Sequence, residues 1–117
     1  MTYVDDILDQ VGETITVQIK SESLDNMGHA TETLVTSGTT TAVLQVMSQD
    51  DEEVKAGIME RGDLQVFFSP TDTFVNYFDL DSYNIYIVWD NKTFKVYNLI
   101  KESGIESGHY ELHAKRV

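Results

Sequence analysis

His109 and His113 stand four residues apart near the C-terminal end of the sequence, and His29 stands alone near the front. On a strand, positions four apart share a face but lie about 13 Å from each other, at ~3.3 Å per residue. That is too far for one metal ion, and a third ligand is missing from the pattern. Surface histidines are therefore expected at all three positions. Asp79 and Asp81 open like a calcium loop, but Asn84 stands where such a loop needs glycine, and IYIVW fills its ligand half. The run Asp50-Asp51-Glu52-Glu53 suits the first turn of a helix better than a metal cage. No serine sits in a GxSxG elbow, and neither GxGxxG nor GxxxxGK[ST] occurs. Arg61-Gly62-Asp63 reads as a turn ahead of a strand. No catalytic, cofactor or metal residues are assigned, and no enzyme activity is expected.

The elements around these residues are mostly strands. Val, Ile, Thr, Phe, Tyr and Trp make up 44 of the 117 residues, and these side chains fit a pleated surface. TITVQIK (14–20) alternates, with Ile15, Val17 and Ile19 on one face. Residues 21–38 lose periodicity and read as a long connection, with ATETLVT (30–36) as a weak strand inside it. Long connections of this kind are often functional. TTTAVLQVMS (39–48) is a second strand, with Ala42, Leu44 and Val46 facing inward. DLQVFF (63–68) is a third, followed by a second long loop around Pro70 (69–82). YNIYIVWD (83–90) is apolar on both faces and is expected to be the most buried strand. Asp90-Asn91 then signals a hairpin into KTFKVYNLIKE (92–102). HYELHAKRV (109–117) closes the chain.

Two helices are expected besides. Residues 3–11 place Tyr3, Val4, Ile7, Leu8 and Val11 on one stripe, with Gly12 as a stop. QDDEEVKAG (49–57) carries helix-start chemistry and ends on Gly57. The fold class that follows is mainly β: a small antiparallel barrel or sandwich with a short N-terminal helix and one short internal helix. Residues 1–12 form an arm and 13–117 a single domain.

Composition narrows the function. The chain has no cysteine, which excludes disulfides, Cys-ligated metals and thiol nucleophiles. Its net charge of −12 opposes a grip on phosphate backbone or anionic lipid. No apolar run is long enough for a membrane-spanning helix, and the N-terminus lacks the basic start of a secretory signal. Synthesis and assembly in the cytoplasm are expected. Charge is uneven: residues 1–91 hold 17 acidic and 3 basic side chains, residues 92–117 hold 3 acidic and 5 basic. The basic end could meet an acidic face of a neighbouring copy, or its lysines could simply line a solvent face. Phe67, Phe68, Phe74, Tyr77, Phe78 and Tyr83 suggest core or a protein interface. A stacking platform for single-stranded nucleic acid needs adjacent cations, and residues 63–91 contain no Lys or Arg.

The order of these segments resembles a known family. A strand after glycine (Gly12 to Lys20) is followed by a loop with Asp25-Asn26-Met27-Gly28 and a Thr/Val-rich strand. Then come EEVKAG (52–57), RGDLQVFFSP (61–70), YNIYIVW (83–89) and a last strand ending Lys115-Arg116. Over about residues 12–116 this is similar to the head-completion proteins of tailed bacteriophages and archaeal tailed viruses, also called head-closure, stopper or head–tail joining proteins. The chain departs from the usual pattern in having fewer basic residues and an added N-terminal helix.

The resemblance implies a β-barrel subunit of a twelve-copy ring in the virion neck. Such a ring sits below the portal or adaptor and above the tail or tail-terminator proteins. It closes the filled capsid, gives the tail a docking surface and passes DNA without reading its sequence. A projecting inter-strand loop in the channel is implied, with 21–38 as its counterpart here and Leu24, Asp25, Asn26, Met27, Gly28 and His29 at the tip; 69–82 is the alternative. Tyr3, Ile7, Leu8, Lys115 and Arg116 are the candidate interface residues. Twelve copies at −12 each would carry −144, so a monomer or small oligomer is expected until a partner nucleates the ring. A tail terminator or tail-to-head joining ring and a small ligand-binding β module remain open as other readings. No cofactor and no membrane partner are expected.

Overall fold

The computed structural model describes residues 12–24, 26–47, 62–102 and 109–117. The helices expected at 3–11 and 49–57, with Tyr3, Ile7 and Leu8, lie outside the described residues, as do Asp25 and Arg61.

Alternation builds the first strand, β1 (Glu13–Leu24): Ile15, Val17 and Ile19 are buried and their neighbours are not. It pairs antiparallel with β2 (Ala30–Val46), from Glu13 opposite Ala42 to Leu24 opposite Ala30. The connection expected over 21–38 is therefore mostly ladder, with a short tip. Its periodicity is missing for a physical reason. The fourth strand, β4 (Asn84–Trp89), flanks β1 only from Thr16 to Lys20. Beyond Lys20 neither face of the two-stranded ribbon has a core to cover, so nothing selects alternation.

The remaining strands are β3 (Leu64–Phe68), β5 (Lys92–Glu102) and β6 (His109–Arg116). All pairings are antiparallel, and the strand order β1-β2-β3-β6-β5-β4 closes on itself as a barrel. Closure removes most free edges. The chain is mainly β and antiparallel as expected from sequence, and of the barrel and sandwich left open there it forms the barrel. Strand direction puts the tip of the β1–β2 hairpin and residues 69–83 at one end of the barrel. The β4–β5 turn and the chain's last residues lie at the other.

The turn at Asp90-Asn91 has φ of 53° and 58°, the two-residue geometry whose twist matches flanking strands. At the end of β2 the expected facing changes. Ala42 is buried, Leu44 is half-buried, Val46 is exposed, and Met47 is buried instead. Backbone bonds fix this frame: Met47 N–H donates to the Asp63 carbonyl at 2.8 Å, and Gly62 N–H donates to the Met47 carbonyl at 2.9 Å. The most deeply buried strand is β3, not β4. Leu64, Val66 and Phe68 are fully buried and Gln65 nearly so, whereas Asn84 and Val88 of β4 are half-exposed on the outer side of a single-layered wall and Trp89, packed against the core at the barrel's end, is only partly covered.

Residues 69–83 close one end of the barrel. Phe74 and Phe78 are buried on either side of one 3-10 turn, Val75–Tyr77. The Phe78 ring meets Phe68 at 5.0 Å and Tyr110 at 5.3 Å, both edge-on. Asp72 holds the segment to β2: its carboxylate accepts from the Thr40 hydroxyl and, at 2.9 Å, from the Phe74 N–H. Gly38 on β2 leaves room for this approach, since a Cβ there would stand 3.3 Å from Phe74 Cζ. The aromatic-rich middle thus supplies core at Phe68, Phe74 and Phe78.

Candidate functional site

The β1–β2 ribbon continues past the last β1–β4 pair, Lys20 opposite Asn84, as an arm of two strands. Described tip residues Leu24, Asn26, Met27, Gly28 and His29 are all exposed, with Leu24 at 73% and Met27 at 82%. Gly28 turns the chain at φ 81°, a region glycine enters without strain. On the shaft of the arm Leu34 and Val35 are exposed by 54% and 43%. Val35 is the extra residue of a bulge: Ile19 faces Thr36 and Lys20 faces Leu34.

One polar cluster ties the arm to the barrel wall. The Tyr86 hydroxyl donates to both Glu32 oxygens at 2.7 and 3.0 Å, and Asn84 Nδ2 donates to Glu32 Oε2 at 2.8 Å. The bond from Tyr86, then that from Asn84, holds the Glu32 carboxyl below the usual carboxylate range, and Lys20 and Lys95 add to this. Burial, then the bond to Glu32, pushes the Tyr86 phenol up to about 12. The Lys20 ammonium lies 4.6 Å and the Lys95 ammonium 5.9 Å from the centre of the Tyr86 ring.

Lys115 and Arg116 lie at the opposite end from the arm tip. With Lys92 they line an open cleft of about 410 Å³ whose apolar walls include Trp89 and Phe94. The structure therefore separates the two described groups of sequence-derived candidates: tip residues at one end, basic residues at the other.

The expectation of surface histidines fails at His113, which is 2% exposed. A second bulge in β5 explains it. Val96 faces Ala114 and Asn98 faces His113, leaving Tyr97 extra and its ring 6.2 Å from the imidazole. His113 Nδ1 is 3.2 Å from the Asn98 amide nitrogen, and Nε2 is 2.7 Å from Glu111 Oε2. An Asn98 N–H donating to Nδ1 assigns the proton to Nε2, which donates to Glu111. The Tyr97 hydroxyl donates at 2.7 Å to Asp63, whose side chain is buried. A spacing signal for the bulge was present: the inward residues of β5 run Phe94, Val96, Leu99, with three positions in the last step. His109 is half-buried with its ring 5.5 Å from Phe67, and His29 is exposed.

Asp79 serves a turn. Its carboxylate accepts from the Asp81 N–H and the Ser82 hydroxyl, each at 3.0 Å. Gly62 has φ 90°, the turn expected before β3. Among the described residues no group of three or more side chains is placed to hold a metal ion.

No family model matches the sequence, and no curated protein matches it. Among solved structures, the chain is similar to the solution structure of protein SF1141 from Shigella flexneri 2a. The TM-score is 0.54 at 14% identity, over 89% of this chain and 90% of that one. At this identity the likeness is one of fold: nearly the whole of each chain shares the architecture.

Proposed function

We propose that the chain is a structural subunit of the neck ring in a tailed virus, a head-completion protein that works by assembly and makes or breaks no bonds. The observation that supports this best is the arm: a closed barrel that needs no further strand carries a ribbon past its own wall, ending in exposed Leu24 and Met27. An exposed apolar tip on a braced two-stranded arm is suited to contact a neighbour or to reach into a central channel. The order of sequence segments and the closed antiparallel barrel are consistent with that role. In it, the ring stands between portal or adaptor and tail, and the tip lines the DNA path without binding it tightly. A tail terminator or tail-to-head joining ring would use the same architecture and differ by its level in the neck.

The experiment is co-assembly. The purified full chain is mixed with the portal ring encoded by the same genome and imaged in negative stain; a ring of added density on the portal is expected. In virions, deleting residues 24–30 should leave heads that lose DNA before tails attach. Full DNA retention in tail-less heads, or a neck lacking density for this chain, would overturn the reading.

The cleft with Lys92, Lys115 and Arg116 beside Trp89 and Phe94 supports a second reading, a small module for an anionic ligand. That module would remain monomeric and would bind its ligand without any portal.

A further inference from the structure

From Thr31 to Ser37, β2 is hydrogen-bonded to β1 on one side, and among the described residues no strand pairs with its other side. The ladder to β3 begins only at Val43, and residues 69–83 meet β2 at Gly38 and Thr40. Among the described residues, these seven of β2 thus keep an open edge along the arm and its base. Such edges are normally blunted by charge, proline or a bulge. This one has no proline and no lysine, and a single bulge at Val35 that leaves Ala30–Leu34 regular. Its one charge, Glu32, is turned onto Tyr86 and Asn84 on the barrel wall. Leu34 and Val35 are both exposed beside it.

We infer that this edge pairs with the same edge of a second copy, antiparallel, to form a two-fold dimer of the free chain. The argument for a second copy is self-complementarity. With the two-fold axis at Thr33 or Leu34, Glu32 faces Leu34 or Thr36 and never another Glu32, so no like charges stand directly opposite. The same registers cover the exposed Leu34. Both edges are rich in β-branched residues, which suit a ladder. The contact is small, so the dimer is weak and transient. The inference is independent of the neck reading, since it concerns the shaft of the arm in free protein.

The test uses the full chain in sedimentation velocity from about 10 µM to about 1 mM, the span of weak affinities. Salt is high enough to screen the repulsion between copies of charge −12. The mean sedimentation coefficient should rise toward that of a dimer, with amide exchange slowing across 31–37 as concentration rises. Leu34→Lys or Val35→Lys, both at exposed sites, should weaken association at least about tenfold. The chain has no native cysteine, so single thiols report geometry. Thr33→Cys or Leu34→Cys should crosslink under mild oxidation much faster than Val117→Cys, an exposed site away from the edge. A chain that stays monomeric throughout, protection that appears on β5 and β6 instead, or equal crosslinking at all three sites overturns the inference. None of these outcomes touches the portal experiment.

Discussion

Replacing Glu32 by Gln and Tyr86 by Phe, singly and together, measures how the arm is braced. Glu32 accepts three contacts of 2.7–3.0 Å from two donors, one of them the largely buried Tyr86. A hydrogen bond to a charged group contributes about 1.5–3 kcal/mol when well shielded. Glu32 itself is exposed, so solvent screening reduces this to about 1 kcal/mol. Each single variant should therefore lose about 1 kcal/mol in urea unfolding, or roughly 4 °C in Tm for a domain of this size. The double variant should lose less than the sum, with a coupling of about 0.5–1 kcal/mol. The pH dependence carries the sign. Because folding lowers the Glu32 pKa, its contribution is present above the ordinary value of 4.5 and is lost as pH falls through the folded value. The gap between wild type and Glu32→Gln should narrow on acidification below about 4.5, while Glu32→Gln itself lacks that dependence. At the alkaline end, the raised Tyr86 pKa contributes stability that is present below 10 and lost as pH rises toward about 12. Absorbance of tyrosinate should show one late-titrating phenol that vanishes in Tyr86→Phe and moves to lower pH in Glu32→Gln. Additive losses in the double variant, or a wild-type to Glu32→Gln gap that is unchanged between neutral and acid pH, would refute the brace.

Three further substitutions probe the parts that position the arm and the barrel ends. Asn91→Ala places a residue with a poor left-handed preference at φ 58° and should cost about 1 kcal/mol in urea unfolding, with little change in the slope. Gly38→Val drives a side chain toward Phe74 Cζ and should cost about 1–3 kcal/mol, with loss of near-ultraviolet circular dichroism from the displaced ring; Phe74→Leu in the same chain should recover part of it. His113→Phe leaves the Asn98 amide and the Glu111 carboxylate without their imidazole partner and should cost about 1–3 kcal/mol by thermal unfolding.

Where one face of a strand is buried and the other wet, its sequence shows the fold. Ile15, Val17 and Ile19 mark β1, and Asp90-Asn91 marks the β4–β5 hairpin, because burial and left-handed backbone each restrict residue choice. The arm was hidden because Ser21, Glu22, Ser23, Thr31, Glu32 and Thr33 satisfy a ladder without covering a core. Met47 taking the buried place that alternation assigned to Val46 follows from its backbone bonds to Asp63 and Gly62, which no local pattern encodes. His113 is covered through a bulge in the neighbouring strand β5, which no histidine spacing encodes, so residue type alone pointed to the surface. Of the candidate site, the tip residues and Lys115 and Arg116 were visible as types. The Glu32–Tyr86–Asn84 brace, with partners more than fifty positions apart in sequence, was not.

The same absence of burial that hides the arm also decouples its use from the stability of the barrel. Side chains that fix the fold, from Ile15 to Ala114, lie in one contiguous core that ends where β4 leaves β1. Past that point the arm is held by its own ladder and aimed by Glu32, so its direction depends on a few polar contacts while its existence does not. Substitutions at Leu24, Met27 or Leu34 remove no core contact, and exposed sites of this kind usually change stability by less than about 0.5 kcal/mol. A chain whose work lies in what the arm touches can therefore vary that contact freely, whereas a change at Glu32 or Tyr86 would re-aim every contact at once. Loss of assembly in a Tyr86→Phe chain that remains folded would thus point to aim as the limiting quantity, and loss only in tip variants would point to the contacts themselves.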